Sequence, residues 1–147
     1  MIKYIKMEVV IFMKRIKIVI LVFAVFMLTG CADTLKCEID TSNYTSSVKV
    51  VFENNKPASY KYSDKMIFND NLSTDSELYY HSQYSKYSYL VSEDFAKVTN
   101  FANKVSVDIE YNFNESNSQG EESLLVSRND NMKSASKKIE SLGYKCK

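Results

Sequence analysis

The 147-residue chain carries 19 lysine and arginine residues against 18 aspartate and glutamate residues, and its length suits one domain of ordinary size. From residue 31 onward there are 14 basic and 17 acidic side chains, and a mildly acidic domain disfavours a nucleic-acid partner. Arg128 is the single arginine of that part, so the bidentate donors that clamp phosphate are scarce. Composition therefore argues against nucleic-acid binding and against phosphate chemistry.

The amino-terminal segment has the order of an export signal: a charged region at 14–17, an apolar run at 18–28, and then small residues before a cysteine. The apolar run is too short to serve comfortably as a permanent membrane-spanning helix. Leu28-Thr29-Gly30-Cys31 is similar to the lipobox of bacterial lipoproteins, whose cysteine thiol receives diacylglycerol before cleavage on its amino side. The alternative is an uncleaved anchor helix with an incidental cysteine. We expect a signal peptide at 1–30, a lipidated tether at 31–36 and one extracytoplasmic domain at 37–147.

Lipid on Cys31 predicts a protein that is attached to the membrane but does not span it. Several acyl chains on one residue, such as palmitate and diacylglycerol, give stable anchoring where a single chain does not. The expected partners are thus the membrane and the lipoprotein-processing enzymes, and the expected location is the outer face of the cell membrane. Codons for Met7-Glu8-Val9 can contain a ribosome-binding sequence shortly before Met13, so we interpret Met13 as the true start. A longer charged region would target the same cysteine.

Two-residue alternation predicts the strands. From Tyr44 to Phe52 every second residue shares a mostly apolar face, and Val105 to Phe113 is the clearest alternation in the chain. Residues 53–56 have turn chemistry, so the first strand and the run Ala58–Ser63 should form a hairpin. The apolar residues 66–68 either lengthen the second strand or form a separate one. A further short strand is predicted at Ser123–Ser127.

Helical spacing and capping residues predict two or three helices. Thr74 and Glu77 fit a capping box, and tyrosines at helical spacing follow, which predicts a helix from Asp75 to Leu90. A second, short helix from Ser92 would carry Phe95, Val98, Phe101 and Ala102 on one side. Asp130 is expected to cap a last helix that buries Met132, Ala135, Ile139 and Leu142 and stops at Gly143. The predicted class is α+β, an antiparallel sheet of about four strands with the helices packed on it.

The cysteine count predicts one disulfide. An exported domain lies where thiols oxidise, and once Cys31 carries lipid, Cys37 and Cys146 are the two that remain. The sequence has no Cys-x-x-Cys pair, so a structural bond is favoured over a redox or metal role. Such a bond joins the start of the domain to its last helix.

Several short motifs resemble those of the YehR-like group of small bacterial lipoproteins. They are the lipobox, a cysteine soon after it, Phe52 and Lys56 at a strand end, a tyrosine-bearing helix, and the ending Leu142-Gly143-Tyr144-Lys145-Cys146-Lys147. The resemblance implies an α+β extracytoplasmic domain with a disulfide of the group's kind. That group has no established biochemical activity, so the resemblance implies no catalytic residues. The Asn/Ser-rich loop at 114–119 and the density of tyrosines depart from the group.

The titratable residues do not form an evident catalytic or metal site. His81 is the one histidine of the chain, so a catalytic triad or a histidine-based zinc site cannot form within one molecule. The pairs Glu93-Asp94 and Glu121-Glu122 could serve in acid–base chemistry or hold calcium, but they are better explained as a helix start and a solvated loop. We therefore predict no catalytic residues, no metal and no cofactor.

The tyrosines between Tyr79 and Tyr89 occupy several sides of one predicted helix, so some of them should be exposed. An exposed tyrosine combines a rigid ring with a polar tip and suits an interface. Tyr79 and Tyr89 are the candidates for a binding surface, unless they are ordinary surface residues beside a core formed by their neighbours. We expect a non-enzymatic lipoprotein that binds an envelope component or another exported protein. The alternative is a carboxylate-based enzyme that acts on an envelope polymer.

Overall fold

The computed structural model describes residues 32–69 and 74–147, so the predicted signal peptide and Cys31 lie outside the described residues. In chain order the elements are β1 (Asp33–Asp40), β2 (Tyr44–Glu53), β3 (Lys56–Ile67), α1 (Thr74–Lys86), α2 (Ser88–Ser92), β4 (Ala96–Phe101), β5 (Lys104–Asn112), a 3-10 turn (Glu121–Ser123), α3 (Met132–Glu140) and β6 (Lys145–Cys146). Among the helices of the described parts, none is both long and apolar enough to cross a membrane.

All strands belong to one antiparallel sheet with the order β4-β5-β3-β2-β1-β6. The predicted α+β class is confirmed, but the described residues hold six strands where about four were predicted. The unpredicted strands are β1, β4 and β6. β1 starts at Asp33, inside the stretch assigned to a tether, because Leu35 and Cys37 alternate inward and Leu35 pairs opposite Val50.

The helix predicted after Ser92 is wrong. Residues 96–101 form β4, in which Ala96 lies opposite Ile109 and Val98 lies opposite Val107. The apolar residues fit a helical period and a strand period about equally well in so short a run. Pairing with the strongly alternating β5 decides for the strand, because it supplies backbone hydrogen bonds along the whole segment.

Two smaller predictions in the last third of the chain also need correction. Ser123–Ser127 is not a strand, since a 3-10 turn ends at Ser123 and irregular backbone follows up to Ser127. The cap of α3 is Asn131 and not Asp130, because the Asn131 side chain accepts from the Ser134 N–H. The Asp130 side chain accepts from the Ser127 N–H in the turn before the helix. Leu142, predicted to be buried, is 56% exposed because α3 has already ended before it.

The β2–β3 hairpin is confirmed. Asn54 and Asn55 both have positive φ, at 52° and 61°, which is the backbone of a two-residue hairpin turn that asparagine tolerates. Residues 66 and 67 lengthen β3. β5 also lies where the sequence predicted it, within one residue at each end. Gly143 takes a φ of 94° after α3, as expected of a helix stop.

The inner face of the sheet holds the core. Its fully buried side chains include Val50, Phe52, Tyr60, Val107 and Ile109, and α3 adds Ala135 and Ile139. Burial of each large apolar side chain stabilises the fold by about 1.5–3 kcal/mol. α1 packs against β4 and β5, and α3 packs against β1. The other face of the sheet is polar, so the helices cover one side only.

The strand register defines two ends of the domain. Asp33 lies opposite Phe52, so the start of β1 and the β2–β3 turn are at one end, which we call the Asp33 end. Ile67 and Phe101 both lie opposite Lys104, so the β4–β5 turn and the end of β3 are at the other end, which we call the Lys104 end. α1 follows β3 and therefore begins near the Lys104 end.

Candidate functional site

Tyr79 and Tyr89, the residues predicted to form a binding surface, are both half-buried. The Tyr79 ring lies 5.8 Å from the Phe68 ring, and burial raises the pKa of Tyr79 to about 12. Tyr89 packs against the core and its ring lies over Gly120. Each tyrosine therefore has a packing role within the domain.

The exposed surface of α1 lies on a different side of the helix from Tyr79. Leu78 is 63% exposed, Tyr84 is 44% exposed, and His81 lies between them at helical spacing. The Tyr80 ring lies 5.4 Å from the His81 ring and 6.0 Å from the Tyr84 ring. We call Leu78, Tyr80, His81 and Tyr84 the α1 surface. It joins an apolar side chain to rings with polar tips, a combination that suits binding.

Phe101 is the most exposed large apolar side chain of the described residues, at 76%. It belongs to the Lys104 end, where the Phe68 N–H donates to the Asn103 carbonyl in the β4–β5 turn. Because Phe68 also contacts Tyr79, the first half of α1 lies near this turn. Leu78 and Phe101 are thus exposed at the same end of the domain.

A buried carboxylate lies on the inner face of the sheet. Asp64 is 4% exposed, and its Oδ2 accepts from the Tyr62 hydroxyl at 2.7 Å and from the Tyr44 hydroxyl at 3.3 Å. Its Oδ1 has no hydrogen-bond partner among the described residues. Burial raises the pKa of Asp64, and the two tyrosine hydroxyls and Lys86 lower it in part.

The polar cluster continues across the sheet. Ser46 lies opposite Asp64, and its hydroxyl is 2.7 Å from the Tyr144 hydroxyl. Burial raises the pKa of Tyr44 and Tyr62 above the ordinary range. Sequence reasoning did not single out this cluster. The signal was present, since Asp64 occupies an inward position of the alternation that includes Tyr60 and Tyr62.

Asp64→Asn should flatten the pH dependence of stability. Because the folded pKa of Asp64 lies above the unfolded value, its neutral form favours the folded state fully in acid, and that contribution is lost as pH rises through the folded pKa. We expect the amide to raise the free energy of unfolding by about 1–3 kcal/mol at pH 8 and to change it little at pH 4. Urea unfolding at both pH values measures this.

A suitable control for the added amide is Asp108→Asn, which changes an exposed carboxylate on the open face of the sheet. It should shift stability by a similar small amount at both pH values. If Asp64→Asn changed the free energy of unfolding by the same amount at pH 4 and at pH 8, the assignment of Asp64 as a carboxylate destabilised by burial would be wrong.

The acidic pairs have different surroundings. Glu121 accepts from the Arg128 Nε at 2.9 Å and from the Tyr111 hydroxyl at 3.4 Å, so its carboxylate is engaged in the loop that follows β5. Glu93, Asp94 and Glu122 are exposed. Within residues 32–69 and 74–147, no three or more histidine, cysteine, aspartate or glutamate residues are grouped as a metal site would require.

Cys37 and Cys146 form a disulfide, as predicted, with their Cα atoms 4.0 Å apart. They lie directly opposite each other in the β1–β6 pair, and Cys37 is fully buried. β6 is two residues long, so the bond lies at the place where the chain end joins the sheet. It therefore fixes the segment after α3 to the sheet edge.

Comparison with known proteins identifies the fold. No protein-family model matches the sequence, and no curated protein matches it. The solved structure of Escherichia coli YehR is similar, with a TM-score of 0.55 and 9% sequence identity over 81% of this chain and 93% of that one. A protein from Streptococcus pneumoniae TIGR4 gives a TM-score of 0.45 and 10% identity over 81% of this chain and 87% of that one. The chain therefore has a YehR-like fold.

Proposed function

We propose that the protein is a bacterial surface lipoprotein of the YehR-like group, held by lipid on Cys31, whose folded domain binds an extracytoplasmic partner without catalysing a reaction. The lipobox motif at 28–31 supports the anchor. The YehR-like fold supports the group, and the Cys37–Cys146 disulfide suits an oxidising compartment.

The exposed α1 surface carries the proposal of binding. Apolar area is exposed to water along the row Leu78, His81 and Tyr84, with the ring of Tyr80 beside it. Burial of such area by a partner is favourable. Tyrosine is enriched among the residues that dominate binding energy. Phe101 extends this apolar exposure at the Lys104 end.

The position of the anchor favours the same surface. Cys31 precedes the start of β1 by two residues, so lipid on Cys31 holds the Asp33 end near the membrane. The eight residues of β1 span about 26 Å between the two ends of the sheet. Under this proposal the Lys104 end, with Leu78 and Phe101, is directed away from the membrane and toward partners outside the cell.

Cys31→Ser should leave an uncut precursor that carries no fatty acid, because the Cys31 sulfur is the proposed acceptor. Metabolic labelling with a radioactive fatty acid, followed by isolation of the protein, measures this. Leu142→Ser serves as the control, since it changes an exposed side chain outside the lipobox and should retain the label. Label that persisted in Cys31→Ser would contradict the anchor.

Binding should depend on the α1 surface. Leu78→Ser and Tyr84→Ser are each expected to weaken capture of a crosslinked extracytoplasmic partner by about tenfold or more. The matched control is Leu142→Ser, which changes another exposed leucine outside this surface. Tyr79 and Tyr89 are less informative, because their substitution also removes packing within the domain.

Two results would count against this proposal. One is that every crosslinked partner is captured as well by Leu78→Ser and Tyr84→Ser as by the unmodified protein. The other is turnover of a glycan or peptide by the purified protein that is abolished by Glu93→Gln or Glu121→Gln, which would favour a carboxylate-based enzyme.

A further inference from the structure

A groove of about 630 Å³ lies between α3 and the β1–β6 edge of the sheet. Asp33 and Leu35 line it from β1, Met132, Lys133 and Lys137 line it from α3, and Lys147 lines it from the chain after β6. Lys133 and Lys137 are one helical turn apart and therefore share a side of α3. The Lys147 N–H donates to the Lys36 carbonyl at 2.8 Å, which holds the end of this wall against β1.

The groove lining holds three lysines against two acidic residues, a small excess of positive charge, and apolar side chains lie beside them. The ion pairs of the described residues involve Lys61, Lys138 and Arg128, so the ammonium groups of Lys133 and Lys137 have no carboxylate within 4.0 Å there. Asp33 and Glu140 also line the groove and offset part of its charge. Met132 supplies apolar surface beside the lysines, and the buried Leu35 lies beneath it. An anionic group attached to an apolar body matches this lining.

The covalent chain puts a limit on the distance from the groove to the lipid. Asp33 lines the groove and follows Cys31 by two residues, which span at most about 7 Å. Charges interact appreciably within a Debye length of about 8 Å at physiological ionic strength. If Cys31 is acylated, the Asp33 side of the groove lies within about one Debye length of the bilayer surface.

We infer that the groove between α3 and β1 receives anionic phospholipid headgroups of the membrane that holds the anchor. This inference rests on the proposed lipidation of Cys31. Lys133 and Lys137 contact the headgroup phosphates, while the partly exposed Met132 contacts the upper part of the acyl chains. The contact orients the domain on the membrane with the Asp33 end inward and leaves the α1 surface free.

Lysine reactivity in the anchored protein tests the inference. The full-length acylated protein is reconstituted in vesicles of equimolar phosphatidylglycerol and phosphatidylcholine, and in vesicles of phosphatidylcholine alone. An amine-reactive reagent is then applied and the rate at each lysine is read by mass spectrometry. We expect Lys133 and Lys137 to react about fivefold more slowly in the anionic vesicles, in line with the attraction of one lysine to such a surface. Lys97, on the far edge strand β4, and Lys104, at the opposite end, should react equally in both.

Failure of the groove inference and failure of the proposed lipid anchor would give different results. Equal rates at Lys133 and Lys137 in the two vesicle types, with the protein attached to both, would overturn the inference and leave the anchor standing. Protein that did not float with either vesicle type would overturn the anchor and, with it, the inference. If inorganic phosphate protected the two lysines in phosphatidylcholine vesicles as well as the anionic vesicles do, the groove would be a site for a free anion. That result would overturn the assignment to a lipid headgroup.

Lys133→Ser with Lys137→Ser provides a second measurement. The double variant should retain the fold, because both side chains are exposed on α3 while Ala135 and Ile139 form its buried side. We expect the variant to lose the difference in Lys147 reactivity between the two vesicle types. Lys97→Ser with Lys104→Ser, which removes the same charge elsewhere, should keep that difference. Loss in both double variants would indicate a general charge effect and overturn the groove as the site.

Discussion

Reduction of the Cys37–Cys146 disulfide is expected to lower the free energy of unfolding by roughly 4–5 kcal/mol. The two cysteines are separated by 109 positions, so the bond closes a loop that includes almost the whole folded domain. Opening the loop returns conformational freedom to the unfolded chain, and net stabilities of single domains are only about 5–15 kcal/mol. Urea unfolding with and without reductant measures the difference.

The same bond can be removed by substitution. Cys37→Ser, Cys146→Ser and the double variant should lose about equal stability, because each lacks the cross-link. Intact-mass analysis of the oxidised protein should find two hydrogens fewer than in the reduced chain. Two free thiols in protein isolated from the oxidising side of the membrane would contradict the pairing and the attachment of β6 to β1.

The sequence predicts the strands whose side chains alternate without ambiguity. In β2 and β5 every inward position is apolar or aromatic except Ser46, so the two-residue period is unmistakable. β4 was misassigned because Val98 and Phe101 are also three residues apart, a helical spacing. β6 has no signal of its own, since two residues become a strand only when Cys146 is held opposite Cys37.

The disulfide could be predicted because it required only a count of cysteines and a cellular compartment. The exposed side of α1 could not, because it depends on where the helix breaks. α1 ends at Lys86 and α2 begins at Ser88, so the helical register does not run through to Tyr89 as a single helix would require. The alternation of β3 marks Asp64 as an inward residue, but the partners of the cluster come from β2 and from Tyr144 after α3, and they meet only in the folded chain.

Gly120→Ala is expected to lower the free energy of unfolding by roughly 2–4 kcal/mol. Gly120 has a φ of 84°, a backbone conformation that an alanine adopts only with strain. A Cβ at this position would also lie 2.6 Å from Tyr89 Cδ1 and 2.9 Å from Leu90 Cδ2. Leu90 is fully buried, so it has little room to move away. Thermal or urea unfolding of the variant measures the loss.

Gly143→Ala separates the two causes, because Gly143 has a similar φ of 94° but its Cβ would meet only Ile39 Cδ1, at 4.0 Å. Backbone strain alone should cost about 1–2 kcal/mol there. The excess loss in Gly120→Ala then reports the clash with Tyr89 and Leu90, and adding Tyr89→Ala should recover part of it as a coupling between neighbours. Equal losses at the two glycines would show that Tyr89 moves away freely. Tyr89 would then regain its place as a candidate for the binding surface, since a ring that leaves Gly120 at little cost can reach a partner.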